Sequence, residues 1–280
     1  MAQTPPAFEI ARYTSYRTPT PPLLDGRLTG IWEKAPKSPS FVDMVTGSPA
    51  LYQTRMACLW DDQCLYVGYW IEDPRLEAHL SQRDSIIFQE SDVEVLIDGG
   101  DAYYEFEINA LNTVYEVFFI WQDAYARGSR FDVPEFDLLS HKALSFGGDY
   151  DRSAASFWWG THPRKARWAF LDWDFPGMRS AVHVDGTLNG STTGWTVELA
   201  FPWAGMTWLA DNRPVPPRGG DVWRMFFGRF QKLTTSGREL TPHPAWVLSQ
   251  HGVYDTHQPA LWPYVEFSET TLDTSSARTV

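Results

Sequence analysis

The chain has 280 residues, of which 43% are hydrophobic and 21% charged, the composition of a folded globular protein rather than a disordered one. Its formal net charge is −12, and the only basic cluster is the scattered His162–Arg167 stretch, so nucleic acid and anionic membrane surfaces are excluded as partners. Polyanionic sugars are disfavoured for the same reason, although a local arginine pocket can still hold a single uronate.

The N-terminal residues carry no apolar run able to act as a signal core or a membrane span. As written, the chain reads as cytoplasmic, or as exported with its signal removed. Residues 1–24 read as an extended arm, because Thr18-Pro19-Thr20-Pro21-Pro22 favours polyproline geometry. Short apolar-alternating segments follow, separated by Gly, Asp and Asn. The predicted strands are 53–60, 64–72, 92–98, 103–110, 113–121, 181–185, 194–201, 222–231, 245–249 and 262–268. Such spacing predicts an all-β antiparallel β-sandwich of jelly-roll or immunoglobulin-like type, with little helix. Leu76–Ser81 and Trp203–Leu209 are long enough for a turn or two of helix only. One domain is expected over 25–269, with a frayed tail at 270–280.

Residues 122–176 break the pattern. This long aromatic-rich insertion, with Phe157, Trp158, Trp159, Trp168 and Trp173, has no clean period and is expected to cover one face or edge of the sandwich. Two cysteines, Cys58 and Cys64, flank the Asp61-Asp62 turn. A cross-strand disulfide and two half-buried thiols both fit that spacing, and the spacing is wrong for zinc.

The most informative segment is 92–110. Side chains alternate along a strand, so Val93, Val95 and Ile97 share one face with Tyr104, Phe106 and Ile108 of the next strand. Glu94, Glu105, Glu107 and Asn109 then gather on the other face. Like charges opposite one another destabilise a sheet. A compensating group is therefore expected: Arg55, Arg83 or Arg229, a cation, or a hydroxyl-rich ligand. The surplus of aromatic residues, 14 Trp, 12 Tyr and 17 Phe, mostly suits a β-rich core, and ring faces also suit the C–H faces of pyranoses.

These segments, in order DGRLTGIWEKAP, WDDQCLYVGYWIEDP, RDSIIFQESDVEVLID, YYEFEINALNTV, WDFPGMRSAVHVDGTLN, GWTVELAFPW, WRMFFGRFQ and AWVLSQHGVYDTHQPALWPYVEFS, resemble the family 9 carbohydrate-binding module-like proteins from Asp25 to Ser268. The resemblance implies a sugar site on one sheet face, with two aromatic rings around a terminal sugar and calcium ions bracing the loops. By position it implies that Phe88 is the first ring, Glu94 the strand glutamate, and Glu107 and Asn109 the polar pair of the next strand. The family's second stacking tryptophan has no counterpart. Asp255, Thr256 and His257 stand there, and Tyr254 and Trp246 are the nearest rings.

The expected ligand-binding set is therefore Arg83, Phe88, Glu94, Glu107, Asn109, Trp121, Arg229, Trp246, Tyr254 and His257, holding a neutral mono- or oligosaccharide. Arg83 is expected to orient the loop that presents Phe88, and Arg229 to offer a planar fork to vicinal hydroxyls. An enzymatic alternative would use Glu107, Glu94 and His257 for acid–base work on a glycan. Calcium, on this reading, would sit at the turn aspartates Asp61, Asp62, Asp98 or Asp101. A lesser alternative, haem ligation as in related sandwiches, would take Met225 and His251.

Overall fold

The structure, a computed structural model, describes residues 8–147 and 162–272. In chain order the strands are β1 (Arg12–Arg17), β2 (Val42–Asp43), β3 (Thr54–Trp60), β4 (Cys64–Glu72), β5 (Asp92–Asp98), β6 (Ala102–Asn109), β7 (Val114–Trp121) and β8 (Ala143–Phe146). They continue with β9 (Arg167–Phe170), β10 (Arg179–Gly186), β11 (Thr192–Pro202), β12 (Val222–Phe230), β13 (Thr234–Thr235), β14 (Arg238–Glu239), β15 (Ala245–Val247) and β16 (Tyr264–Thr271). Helical structure among the described residues is limited to short 3₁₀ turns, one of them over the predicted Trp203–Leu209. None is long and apolar enough to cross a membrane.

Two layers result. One runs β10-β11-β4-β3-β1-β16, and the other runs β12-β5-β6-β7-β9-β8, with β15 and β2 beyond β12. Strand β12 joins them: Val222 to Arg224 pair with β16, and Met225 to Phe230 pair with β5. Between the layers lies the main core, to which the first sheet contributes Met56, Val67, Tyr69 and Val197 and the second contributes Val93, Val95, Phe106 and Phe227. The alternation read from β5 and β6 is thus the alternation of the sandwich, with apolar side chains inward.

Three elements differ from the expectation. Residues 12–17 are not a free arm: β1 lies between β16 and β3 and pairs with both in parallel. The insertion supplies β8 and β9 at the edge of the second sheet, whereas Phe157, Trp158 and Trp159 lie outside the described residues. In the tail, β16 continues to Thr271, and 273–280 lie outside the described residues. Cys58 and Cys64 are free, buried thiols. They are out of register, because Cys58 faces Val67 across β3–β4.

A buried carboxylate fastens the segment before β2 to the first sheet. Glu198 on β11 accepts hydrogen bonds from Trp32 Nε1 at 2.6 Å and from the Asp25 and Gly26 amides at 2.8 and 2.5 Å. With three donors around it, Glu198 needs no ligand to account for its burial.

Candidate functional site

Strands β5 and β6 place the acids as the alternation requires. Glu94 stands directly opposite Glu107, Asp92 opposite Asn109, and Leu96 opposite Glu105. On the flanking strands Glu107 faces Tyr115, and Glu94 faces Gly228. Gly228 leaves a gap that the Phe226 ring fills, since a Cβ there would come within 2.4 Å of the ring. Carboxylate oxygens of Asp92, Glu94 and Glu107 lie within 4.8 Å of one another. Asp92 belongs to this group by the same two-residue alternation that gave Glu94, a signal open to sequence reading but not used there.

The acidic face is closed, not solvated. Glu94 and Glu107 are each 3% exposed and Glu105 is 5% exposed. A second apolar cluster on this side of the sheet includes Leu96, Tyr103, Phe119, Trp121, Phe226, Phe230 and Trp262. Part of the cover is the segment before β16, held by its own polar contacts. Asp255 accepts from the His257 amide at 2.9 Å and from Gln258 Nε2 at 2.6 Å, and Trp262 Nε1 donates to the Thr256 carbonyl. The buried Arg167 guanidinium donates to the carbonyls of His257 and Gly147. Sequence reading missed Arg167, which lies in the aperiodic insertion and has no local pattern to mark it.

His257 does stand over the acids, where it meets Glu105. Its Nε2 is 3.5 Å from Glu105 Oε1, and its Nδ1 is 3.0 Å from the Tyr103 hydroxyl. Phe119 and Phe146 pack against the imidazole. Glu94 and Glu107 project from neighbouring strands on one face, directly opposite each other. Burial, with the Glu105 carboxylate nearby, pushes the Asp92 carboxyl well above the usual range.

The remaining predicted residues divide between the rim, the frame and the opposite face. Phe88, 37% exposed, packs edge-on against Tyr115 with ring centroids 5.8 Å apart, which sets an accessible ring beside Glu107. Arg83 pairs with Glu116 and with Asp174 at 2.8 Å. It therefore anchors the loop before Phe88 and does not reach the acids. Asn109 is a brace: its Nδ2 donates to the Leu80 carbonyl and Glu90, and its Oδ1 accepts from the Leu111 and Thr113 amides. That occupies its hydrogen-bonding capacity in this structure. Trp121 shares the acidic face but is buried against His162 and Arg167, whose guanidinium carbon is 4.2 Å from its ring centroid. Tyr254 packs against Phe230, its hydroxyl on the His243 carbonyl.

Arg229 and Trp246 do not join the site. Both point into the core between the layers, where Arg229 pairs with Asp73 at 3.0 Å, both side chains fully buried, and lies 5.0 Å from the Trp246 ring. Of the three arginines expected to neutralise the glutamates, Arg83 and Arg229 are engaged elsewhere, and Arg55 contacts the Ser38 carbonyl. The Met225–His251 pair is excluded by the sheet itself. Met225 belongs to the core between the layers, and His251 packs against Phe226 on the other side.

The turn aspartates are each engaged within the protein. Asp61 accepts from the Gln63 and Cys64 amides and the Tyr66 hydroxyl, Asp62 pairs with Arg17, Asp98 caps the Gly100 amide, and Asp101 pairs with Arg164. Among the described residues the one acid group with cation-like spacing is Asp92, Glu94 and Glu107, and hard carboxylate oxygens are what calcium takes.

Residues 24–127 match the family described as carbohydrate family 9 binding domain-like. No curated protein matches the chain. Among solved structures, it is similar to a family 9 carbohydrate binding module from Caldicellulosiruptor kristjanssonii in complex with glucose, at 13% identity and a TM-score of 0.51, covering 95% of this chain and 98% of that one. The cellotriose complex of a family 9 module from the same organism gives 13% identity and 0.52, covering 95% and 99%. A Bacteroides uniformis protein gives 12% identity and a TM-score of 0.56, covering 93% and 100%. The matched segment 24–127 contains both acidic strands and Phe88, and the chain as a whole has the β-sandwich fold of the family 9 modules.

Proposed function

We propose that the protein binds a neutral mono- or oligosaccharide, without chemistry, at the rim of the Asp92–Glu94–Glu107 hollow. The observation that carries this reading is the crowding of three carboxylates on one patch of sheet, beside an accessible aromatic ring. Crowded acids weaken a sheet, whereas sugar hydroxyls are donors that make charge-assisted hydrogen bonds with them. Phe88 takes the apolar face of the pyranose, and for its hydroxyls to donate to Glu107 and Glu94, each 3% exposed, the side chains that cover them beside Tyr115 must move aside. The family match spans all of these positions, and relatives of the same fold carry glucose and cellotriose. Calcium, if bound, would take Asp92, Glu94 and Glu107 as ligands and offset their charge.

Phe88 offers the direct test, because its truncation leaves the buried framework intact. Phe88→Ala is expected to weaken binding on the order of tenfold, since burying such a ring is worth roughly 1.5–3 kcal/mol. Retardation in affinity gels containing glucans or xylans measures it. Equal retardation of variant and wild type would remove Phe88 from the site.

A further inference from the structure

The first sheet carries a groove of about 490 Å³ on its outer side, on the opposite layer from the acidic hollow. Register fixes its floor. Arg55, Trp70 and Thr196 lie side by side across β3, β4 and β11, and one row along, Glu72, Gly194 and Asp185 lie across β4, β11 and β10. Gly194 has no side chain, and a Cβ there would come within 2.2 Å of the Ile71 carbonyl oxygen. The floor is therefore bare between Glu72 and Asp185, whose strands are two spacings, roughly 10 Å, apart.

Charge divides the groove into two ends. At one end the Lys37 ammonium lies 4.0 Å from the centre of the Trp70 ring, with Arg55 beside it. Neither cation forms an ion pair among the described residues. Burial and then the Arg55 charge hold the Lys37 ammonium below the usual lysine range. At the other end stand Glu72, which accepts from the Gln53 amide at 2.9 Å, and Asp185, which faces His183 at 3.2 Å.

We propose that this groove is a second binding site, for a sugar that carries a carboxylate. The carboxylate lies between Lys37 and Arg55, and the ring hydroxyls donate to Glu72 and Asp185 across Gly194. A neutral sugar would leave the two cations uncompensated. A polyanion would meet Glu72, Asp185 and the net charge of −12. One negative charge on one ring is the chemistry that suits both ends.

Methyl glucuronide and methyl glucoside differ at C6 by the carboxylate, so the pair isolates the charge. In an NMR titration that follows the Trp70 indole N–H, the glucuronide is expected to bind on the order of tenfold more tightly, as one charge-assisted contact yields. That preference should shrink with added salt. Lys37→Gln with Arg55→Gln, both at exposed positions, should bring the two ligands level, whereas Glu107→Gln should leave the preference unchanged. Equal affinities in the wild type, a Trp70 signal that does not move, or a preference surviving in the double variant would each overturn the proposal. Because the Glu107 hollow and the groove lie on different layers, either site can fail without the other.

Discussion

Arg229→Met is expected to lower the stability of the fold by roughly 3–5 kcal/mol, the usual penalty for removing one partner of a buried ion pair. The arginine sits between the layers, fully buried. Its guanidinium donates to the Thr54 hydroxyl at 3.0 Å, the Glu72 carbonyl at 2.9 Å and Gln231, besides pairing with Asp73. Burial pulls its pKa down to about 10, and the Asp73 carboxylate opposes that shift. Methionine fills much of the volume but leaves Asp73 charged in an apolar core. The double variant Arg229→Met, Asp73→Asn removes both charges and should recover most of the loss. Thermal unfolding followed by circular dichroism measures this, with a fall in Tm on the order of 10 °C for the single variant. A single variant within 1 kcal/mol of wild type would mean that the pair does not hold the layers together.

Acid should weaken the fold through His251 over the window from about pH 6.5 down to 4. The imidazole is buried, donates from Nδ1 to the Asp255 carbonyl at 2.8 Å, and packs its ring against Phe226. Burial lowers its pKa to about 4; the Asp255 carbonyl and charge oppose this, and His257 adds to it. Since the folded pKa lies below the unfolded one, the folded state binds fewer protons in that window. The stability is fully present above about pH 6.5 and falls as pH drops through 4, by roughly 3 kcal/mol at 1.36 kcal/mol for each pKa step. His251→Gln cannot titrate and should flatten that part of the profile. His162, also lowered to about 4, keeps a residual slope in both proteins. Asp92, with its raised pKa, acts in the opposite direction and is common to both, so the difference between the two curves isolates His251. Parallel curves would contradict this assignment.

The strands were legible because a two-residue period survives in the sequence wherever one side faces the main core. Predicted 64–72 and 92–98 coincide with β4 and β5. Strand β1 was not, because its pairing is parallel and long-range, with β16 as partner, and the prolines that follow it suggested an arm. The acids of the site were legible for the same reason as the core: Glu94, Glu105 and Glu107 are the complement of Val93, Val95 and Phe106.

Strand alternation puts Arg229 on the opposite face from Phe226 and Phe230, and the expected ligand role for Arg229 gave that face the wrong surroundings. Phenylalanines on a strand suggest the core, yet here they cover the acidic side, and it is the arginine that enters the space between the layers. Alternation gives two faces; it does not say which face receives the other sheet. The closing of the acidic face was equally hidden. It depends on Arg167 holding a carbonyl ninety positions away in the chain, a contact with no local periodicity to announce it.

Calorimetric titration of the protein with glucans, xylans, mannans and galactans, run beside Glu107→Gln, tests the central claim most directly. Binding of at least one neutral glycan is expected in the wild type. The variant should bind on the order of tenfold to a hundredfold less tightly, the range lost when a charge-assisted contact of roughly 1.5–3 kcal/mol is removed, with no fall in Tm. No heat from any of the four glycan classes, or the same affinity in Glu107→Gln, would contradict a sugar site at the paired glutamates.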